Sequence, residues 1–111
     1  MAYIRNFAGQ ILAQTDGTDL RDFAGRTLFR IDGQNIRNFA GQTLYTYDGS
    51  TVRDFSGRGL YTFDGRSFKT YYGRTELTVD GDTVRNFTGQ TLYKLDGYVP
   101  KIVLIAFLMN Q

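Results

Sequence analysis

The sequence predicts a mainly β protein: a closed antiparallel meander β-barrel of about twelve short strands around a hydrophobic C-terminal α-helix. Three observations carry that expectation. Glycine stands at 9, 17, 25, 33, 41, 49, 57, 65, 73, 81, 89 and 97, a spacing of eight without exception, and only Gly59 of the 13 glycines falls off the grid. The segments between are rich in Ile, Val, Leu, Thr, Phe and Tyr and contain no proline, as an uninterrupted hydrogen-bonded ladder requires. Finally, Ile102 to Met109 is a continuous apolar run. At about 100° per residue it covers every side of a helix, and a helix apolar all round must be enclosed.

Read from Ala2, residues 2–97 form octads of two alternating kinds, so the repeat is sixteen residues long within one domain, 1–111. The first kind is Ile-Arg-Asn-Phe-Ala-Gly at 4–9 and 36–41, Leu-Arg-Asp-Phe-Ala-Gly at 20–25, Val-Arg-Asp-Phe-Ser-Gly at 52–57 and Val-Arg-Asn-Phe-Thr-Gly at 84–89. The second is Thr-Leu-Phe-Arg-Ile-Asp-Gly at 27–33, Thr-Leu-Tyr-Thr-Tyr-Asp-Gly at 43–49 and Thr-Leu-Tyr-Lys-Leu-Asp-Gly at 91–97, with a near copy at 59–65. Octads 10–17, 66–73 and 74–81 are irregular.

Each octad reads as a strand followed by a turn, because a tight reversal needs φ > 0 at the glycine and the preceding Asp can bond its own backbone. One spacing leaves two options open. Pairs such as Leu44 and Tyr47, or Ile36 and Phe39, are three apart and would face opposite ways in a regular strand. Either both sheet faces are partly apolar, or a bulge in each strand gathers the pair on one face.

Residues 98–111 form the last element, the central helix, with Pro100 suited to its first position. Eight to ten apolar residues span only about 12–15 Å, too short to cross a hydrocarbon core of about 30 Å. Twelve strands at about 4.8 Å close into a barrel of radius about 9–12 Å, which one helix of about 10–12 Å diameter would plug. The rival is a six-coil β-solenoid with the C-terminal segment as a cap, but a cap needs only one apolar face.

Alternating Val-Arg-Asp-x-x-Gly and Leu-Tyr-x-x-Asp-Gly segments, twelve strands and a hydrophobic C-terminal helix resemble the tubby-like superfamily. That group includes the plant LURP-one-related proteins and the phospholipid scramblases, whose twelve-stranded barrel surrounds a central C-terminal helix. The chain would be a miniature relative. The resemblance also implies phosphoinositide headgroup recognition by basic side chains, without assigning that role to particular residues here.

Composition narrows the chemistry. With no cysteine and no histidine, the chain has no disulfide, no thiolate zinc site and no Ser–His or Cys–His pair. No residue pair supplies a nucleophile with its base, so no enzyme and no cofactor are expected. Thirteen basic and 11 acidic residues give a net charge of +2, a mild attraction to anionic partners. The N-terminus lacks basic and apolar leader regions, so the expected location is the cytoplasm, with peripheral membrane association compatible.

The candidate binding set is the basic row Arg5, Arg21, Arg37, Arg53, Lys69 and Arg85, every sixteen residues, interleaved with Phe29, Tyr45, Tyr61 and Tyr93. A band mixing cations and aromatics could hold an anionic ligand or lipid headgroup. The plainer alternative is that each Arg pairs with a nearby Asp or stacks on a ring across the ladder. Asp16, Asp32, Asp48, Asp64, Asp80 and Asp96 read as turn formers rather than calcium ligands, and Asp22 and Asp54 stand where Asn6, Asn38 and Asn86 do. The irregular octads place a second candidate patch around Phe68, Lys69, Tyr71, Tyr72, Arg74 and Glu76. The expected partner is a protein or an anionic headgroup rather than nucleic acid, and the chain is expected to be a monomer.

Overall fold

A computed structural model describes all of residues 1–111. Its strands are β1 (Ala2–Asn6), β2 (Ile11–Thr15), β3 (Asp19–Asp22), β4 (Thr27–Asp32), β5 (Asn35–Arg37), β6 (Thr43–Tyr47), β7 (Thr51–Asp54), β8 (Gly59–Phe63), β9 (Ser67–Thr70), β10 (Thr75–Asp80), β11 (Thr83–Asn86) and β12 (Thr91–Asp96). Each pairs antiparallel with its sequence neighbours, and β1 pairs with β12 to close the barrel. Closure leaves no exposed edge, and it decides for the barrel over the solenoid.

The helix α1 (Lys101–Met109) runs inside. Val103, Leu104, Ile105, Ala106 and Phe107 are all at most 3% exposed, and five consecutive buried residues leave no side of the helix in water. Pro100 sits one residue before the first helical position, at φ −57° and ψ 150°, and its carbonyl accepts the Leu104 N–H at 3.0 Å. The wall contributes Ile4, Ala13, Leu20, Phe29, Ile36, Tyr47, Val52, Phe63, Phe68 and Val84 to the same core. Burying side chains of this size stabilises by about 1.5–3 kcal/mol each before the ordering entropy is counted.

Bulges settle the three-residue spacing. Ile36 lies opposite Tyr45 and Arg37 opposite Thr43, so Leu44 is an extra residue in β6. The same one-residue shift occurs where β1 meets β2, β3 meets β4, β7 meets β8, β9 meets β10 and β11 meets β12. Directly opposed residues share a face. Tyr45 therefore faces inward with Ile36, Leu44 joins it through the bulge, and the pleat returns Tyr47 to the core. Ile36 and Phe39 follow neither option: Ile36 is buried, and Phe39 lies beyond the end of β5, in the turn and on neither face of the sheet.

The molecule measures 36 × 34 × 19 Å, a shallow disc. Those widths exceed the cylinder of about 18–24 Å diameter expected for twelve strands, so the hairpin ends splay outward.

Candidate functional site

In a meander, turns alternate between the two ends of the barrel. The turns leaving β1, β3, β5, β7, β9 and β11 share one end, while the Asp-Gly turns and the entry to α1 share the other. Each tip at the first end is built alike. Asn6 N–H donates to the Gln10 carbonyl and Gly9 N–H to the Asn6 carbonyl, both at 3.0 Å, while Asn6 Oδ1 accepts the N–H groups of Ala8 and Gln10. Asp22, Asn38, Asp54 and Asn86 repeat that pattern, and Thr70 does so with its hydroxyl accepting from Arg74 N–H alone. Gly9 holds φ +90°, which closes the turn and which a side chain would resist.

The residue after the Asn or Asp lies past the last paired residues of the hairpin, on neither face of the wall. That residue is Phe7, Phe23, Phe39, Phe55 and Phe87, and all five rings are 72–82% exposed. At the sixth tip Tyr71 folds back, 52% exposed, and Tyr72 stands out instead, 95% exposed and edge-on to it at 5.9 Å. One end of the barrel therefore carries six projecting aromatic rings. Clefts open beside two tips: one of about 500 Å³ lined by Arg58, Gly59, Leu60, Tyr61, Thr70, Tyr71 and Tyr72, and one of about 640 Å³ lined by Arg26, Thr27, Leu28, Arg30 and Phe39. Sequence spacing alone presents the recurring Phe as an apolar strand position. What marks it as a tip is its place between an Asx-turn residue and a small residue plus Gly, where the strand has already ended.

The carboxylates are unevenly shared between the ends. Asp16, Asp19, Asp32, Asp48, Asp64, Asp80, Asp82 and Asp96 lie in or beside the Asp-Gly turns, whereas the aromatic end has Asp22, Asp54 and Glu76 against Arg26, Arg58 and Arg74. Asp16 is held down to about 2, first by the Asp19 N–H and then by the Thr18 N–H. The Thr51 N–H lowers Asp48, the Ser67 N–H lowers Asp64, the Arg26 N–H lowers Asp22 and the Ser56 hydroxyl lowers Asp54. These carboxylates are occupied as turn acceptors, and no group of three or more acidic side chains is placed to hold a metal ion.

Comparison with protein-family models, curated proteins and solved structures finds no match.

The expected band of cations and aromatics is split by the wall. Tyr45, Tyr61 and Tyr93 oppose Ile36, Val52 and Val84, each 0% exposed, so the tyrosines pack inward, and Tyr93 meets Phe107 of α1 edge-on at 5.0 Å. Phe29 is buried likewise. The basic row alternates with these positions and faces out. Arg5 pairs with Asp96 at 3.2 Å, Arg21 with Asp19 at 3.1 Å, Arg37 with Asp32 at 3.4 Å and Arg53 with Asp48 at 3.1 Å. Arg5, Arg21 and Arg37 also donate to the carbonyls of Gly9, Gly25 and Gly41, tying the wall to the tips, and Arg5 stacks on Tyr3. Lys69 and Arg85 carry no ion pair.

The second candidate patch separates too. Phe68 is a core residue, stacked on Tyr61 at 4.6 Å and edge-on to Phe63 at 6.0 Å. Tyr71, Tyr72, Arg74 and Glu76 gather at the sixth tip, with Glu76 in the bulge position that Leu28, Leu44 and Leu60 fill elsewhere and 3.8 Å from Arg74 Nε. No helix is long and apolar enough to cross a membrane.

Proposed function

We propose that the protein is a non-enzymatic interaction domain whose working face is the aromatic end of the barrel. One observation carries this: five phenylalanines recur at a turn position that does not require them. The turn is made by the Asn or Asp acceptor and the glycine, and the tip with Tyr71 forms the same backbone bonds without a Phe. Rings so exposed contribute little to folding, and exposed apolar groups gathered at one end of a molecule mark a docking face. The Arg row and the helix then serve the scaffold, holding six tips in a fixed ring. Kinship with the tubby-like barrels, as a miniature relative in the cytoplasm, belongs to the same reading and rests on the shared barrel-around-helix plan.

The test is Phe23→Ser, Phe39→Ser and Phe55→Ser combined. The variant unfolds at the wild-type temperature or within about 1 kcal/mol of its stability, and it loses the fluorescence of a hydrophobic dye bound by the wild type. A large loss of stability would mean that the rings are structural, and the docking reading would fall.

A second reading, an anionic ligand or headgroup held by the outer basic row, is favoured at Lys69 and Arg85 because they alone in that row lack a carboxylate partner. Lys69→Gln with Arg85→Gln would then abolish salt-sensitive binding to anionic lipid.

A further inference from the structure

We infer that the occupant of the aromatic end is the interfacial region of a lipid bilayer, into which the tips insert as separate anchors. The inference rests on the docking reading above and adds the partner. Three observations favour a bilayer over a folded surface or a second copy.

The first is spacing. Neighbouring tips are two strands apart, so they stand at least about 10 Å from one another, and farther where the hairpins splay. They do not merge into a continuous apolar patch. A protein partner would need six matching pockets and a dry surface between them, because protein interfaces concentrate their affinity in a packed, desolvated centre. A fluid bilayer makes no such demand: each ring enters on its own, and the polar residues between stay among the headgroups, where aromatic side chains are enriched.

The second is the backbone at the tips. In the first tip the N–H groups of Asn6, Ala8, Gly9 and Gln10 are bonded within the turn, that of Phe7 alone has no partner, and the tips at Asp22, Asn38, Asp54 and Asn86 repeat this. A loop that must enter a water-poor layer is costly when its backbone donors depend on water. Four of the five donors in each Phe tip do not, so insertion requires an acceptor only for the N–H of the ring-bearing residue, which the headgroup layer supplies.

The third is charge. At the aromatic end Arg26, Arg58 and Arg74 are matched by Asp22, Asp54 and Glu76, and Arg26 and Arg74 have carboxylates within 3.2 and 3.8 Å. That end is neutral in sum and able to approach an uncharged surface. The carboxylates of the Asp-Gly end are offset by Arg5, Arg21, Arg37 and Arg53, which pair with four of them, and by Arg30, Arg66, Lys94 and Lys101 in or beside those turns, so the rings rather than charge orient the barrel toward the membrane. Binding is therefore apolar in origin and does not need anionic lipid.

The chain has no tryptophan, so a single one reports without background. Phe39→Trp places the probe at a tip, and Ser50→Trp places it in an Asp-Gly turn at the other end; both positions are exposed, and circular dichroism checks the fold. With neutral phosphatidylcholine vesicles, the Phe39→Trp emission shifts to the blue and is quenched by brominated lipid, at 0.1 M and at 1 M salt alike, and the Ser50→Trp emission does neither. Adding Phe23→Ser and Phe55→Ser to Phe39→Trp lowers vesicle partitioning by about tenfold per ring removed.

Absence of vesicle binding by co-flotation overturns the inference, as does binding that needs anionic lipid and disappears at high salt. A blue shift without lipid, accompanied by concentration-dependent dimers in sedimentation, assigns the rings to a second copy; the membrane inference then fails while the docking reading stands. If neither vesicles nor self-association responds to the Phe→Ser changes, and dye binding is also unchanged, both fail together.

Discussion

The ring of Tyr71 occupies the space that any side chain at position 59 would need. A Cβ built on Gly59 would come within 3.0 Å of the Tyr71 Cδ1, Cε1 and Cζ atoms. Gly59 is the one glycine off the eight-residue grid, and it is also the one not at positive φ, so space rather than backbone conformation explains it. The two departures from the pattern are one event: the strand gave up its side chain where the folded-back tyrosine lies, and the Tyr71 N–H gained a bond to the Leu60 carbonyl at 3.1 Å.

The pair should therefore be coupled. In wild type, Gly59→Thr destabilises by forcing Tyr71 off the wall, although Thr suits a strand better than Gly by up to about 1 kcal/mol. In a Tyr71→Ala background the same change stabilises by about 0.5–1 kcal/mol. A double-mutant cycle in urea measures the coupling, and additivity of the two changes would disprove the contact.

The helix is the core's central element. Ile105→Ala, at a residue 0% exposed, costs about 2–5 kcal/mol, and Leu104→Asp abolishes folding because it buries an unpaired charge. Hydrogen exchange at Val103–Phe107 should be as slow as in the strands around it. Fast exchange there, or a Leu104→Asp variant that melts like the wild type, would remove the helix from the interior.

Gly41 holds φ +90°, and a Cβ placed there would meet nothing within 4 Å, so Gly41→Ala isolates conformational cost from crowding. A loss of about 1–2 kcal/mol in thermal or urea unfolding is expected. An unchanged midpoint would mean that the tip can adopt another turn without penalty.

Acid should weaken the fold in a defined window. The turn carboxyls are lowered in the folded chain, Asp16 from 3.8 to about 2, so folding favours their ionised form. Their contribution is complete above pH 4 or so and is lost as pH falls toward 2. The urea midpoint should be flat from pH 5 to 8, where no histidine titrates, and then decline as the solution is acidified further. Asp16→Asn keeps a turn acceptor without the titration, so its acid limb should be shallower. At the alkaline end, burial raises Tyr47, whose hydroxyl donates to the Phe63 carbonyl at 2.6 Å, and also raises Tyr93. Both therefore hold their protons more tightly in the folded chain, and spectrophotometric titration should show both ionising late.

Much of the architecture was legible because glycine spacing, Asp-Gly turns and the apolar run Ile102–Met109 are local or compositional facts. The alternation of Asn6, Asp22, Asn38, Asp54 and Asn86 likewise reads as a hydrogen-bonding role rather than proton transfer, and the structure adds that their side chains accept N–H groups at the turns. The candidate band of Arg37 with Tyr45 was not legible, since it depended on which face each residue takes. Side chains alternate with period two, so a single inserted residue reverses everything beyond it. Leu44 is that residue in β6, and nothing in its own octad announces it.

The sequence by itself determined the strand count, the positions of the turns and the need to enclose the last helix, because those follow from φ > 0 at glycine and from apolar surface on every side of 102–109. Tertiary structure decided what the outside looks like. Pairing across strands placed the bulges, turned the tyrosines inward and the arginines toward their aspartates, and the parity of a closed meander brought Phe7, Phe23, Phe39, Phe55 and Phe87, far apart in the chain, to one end.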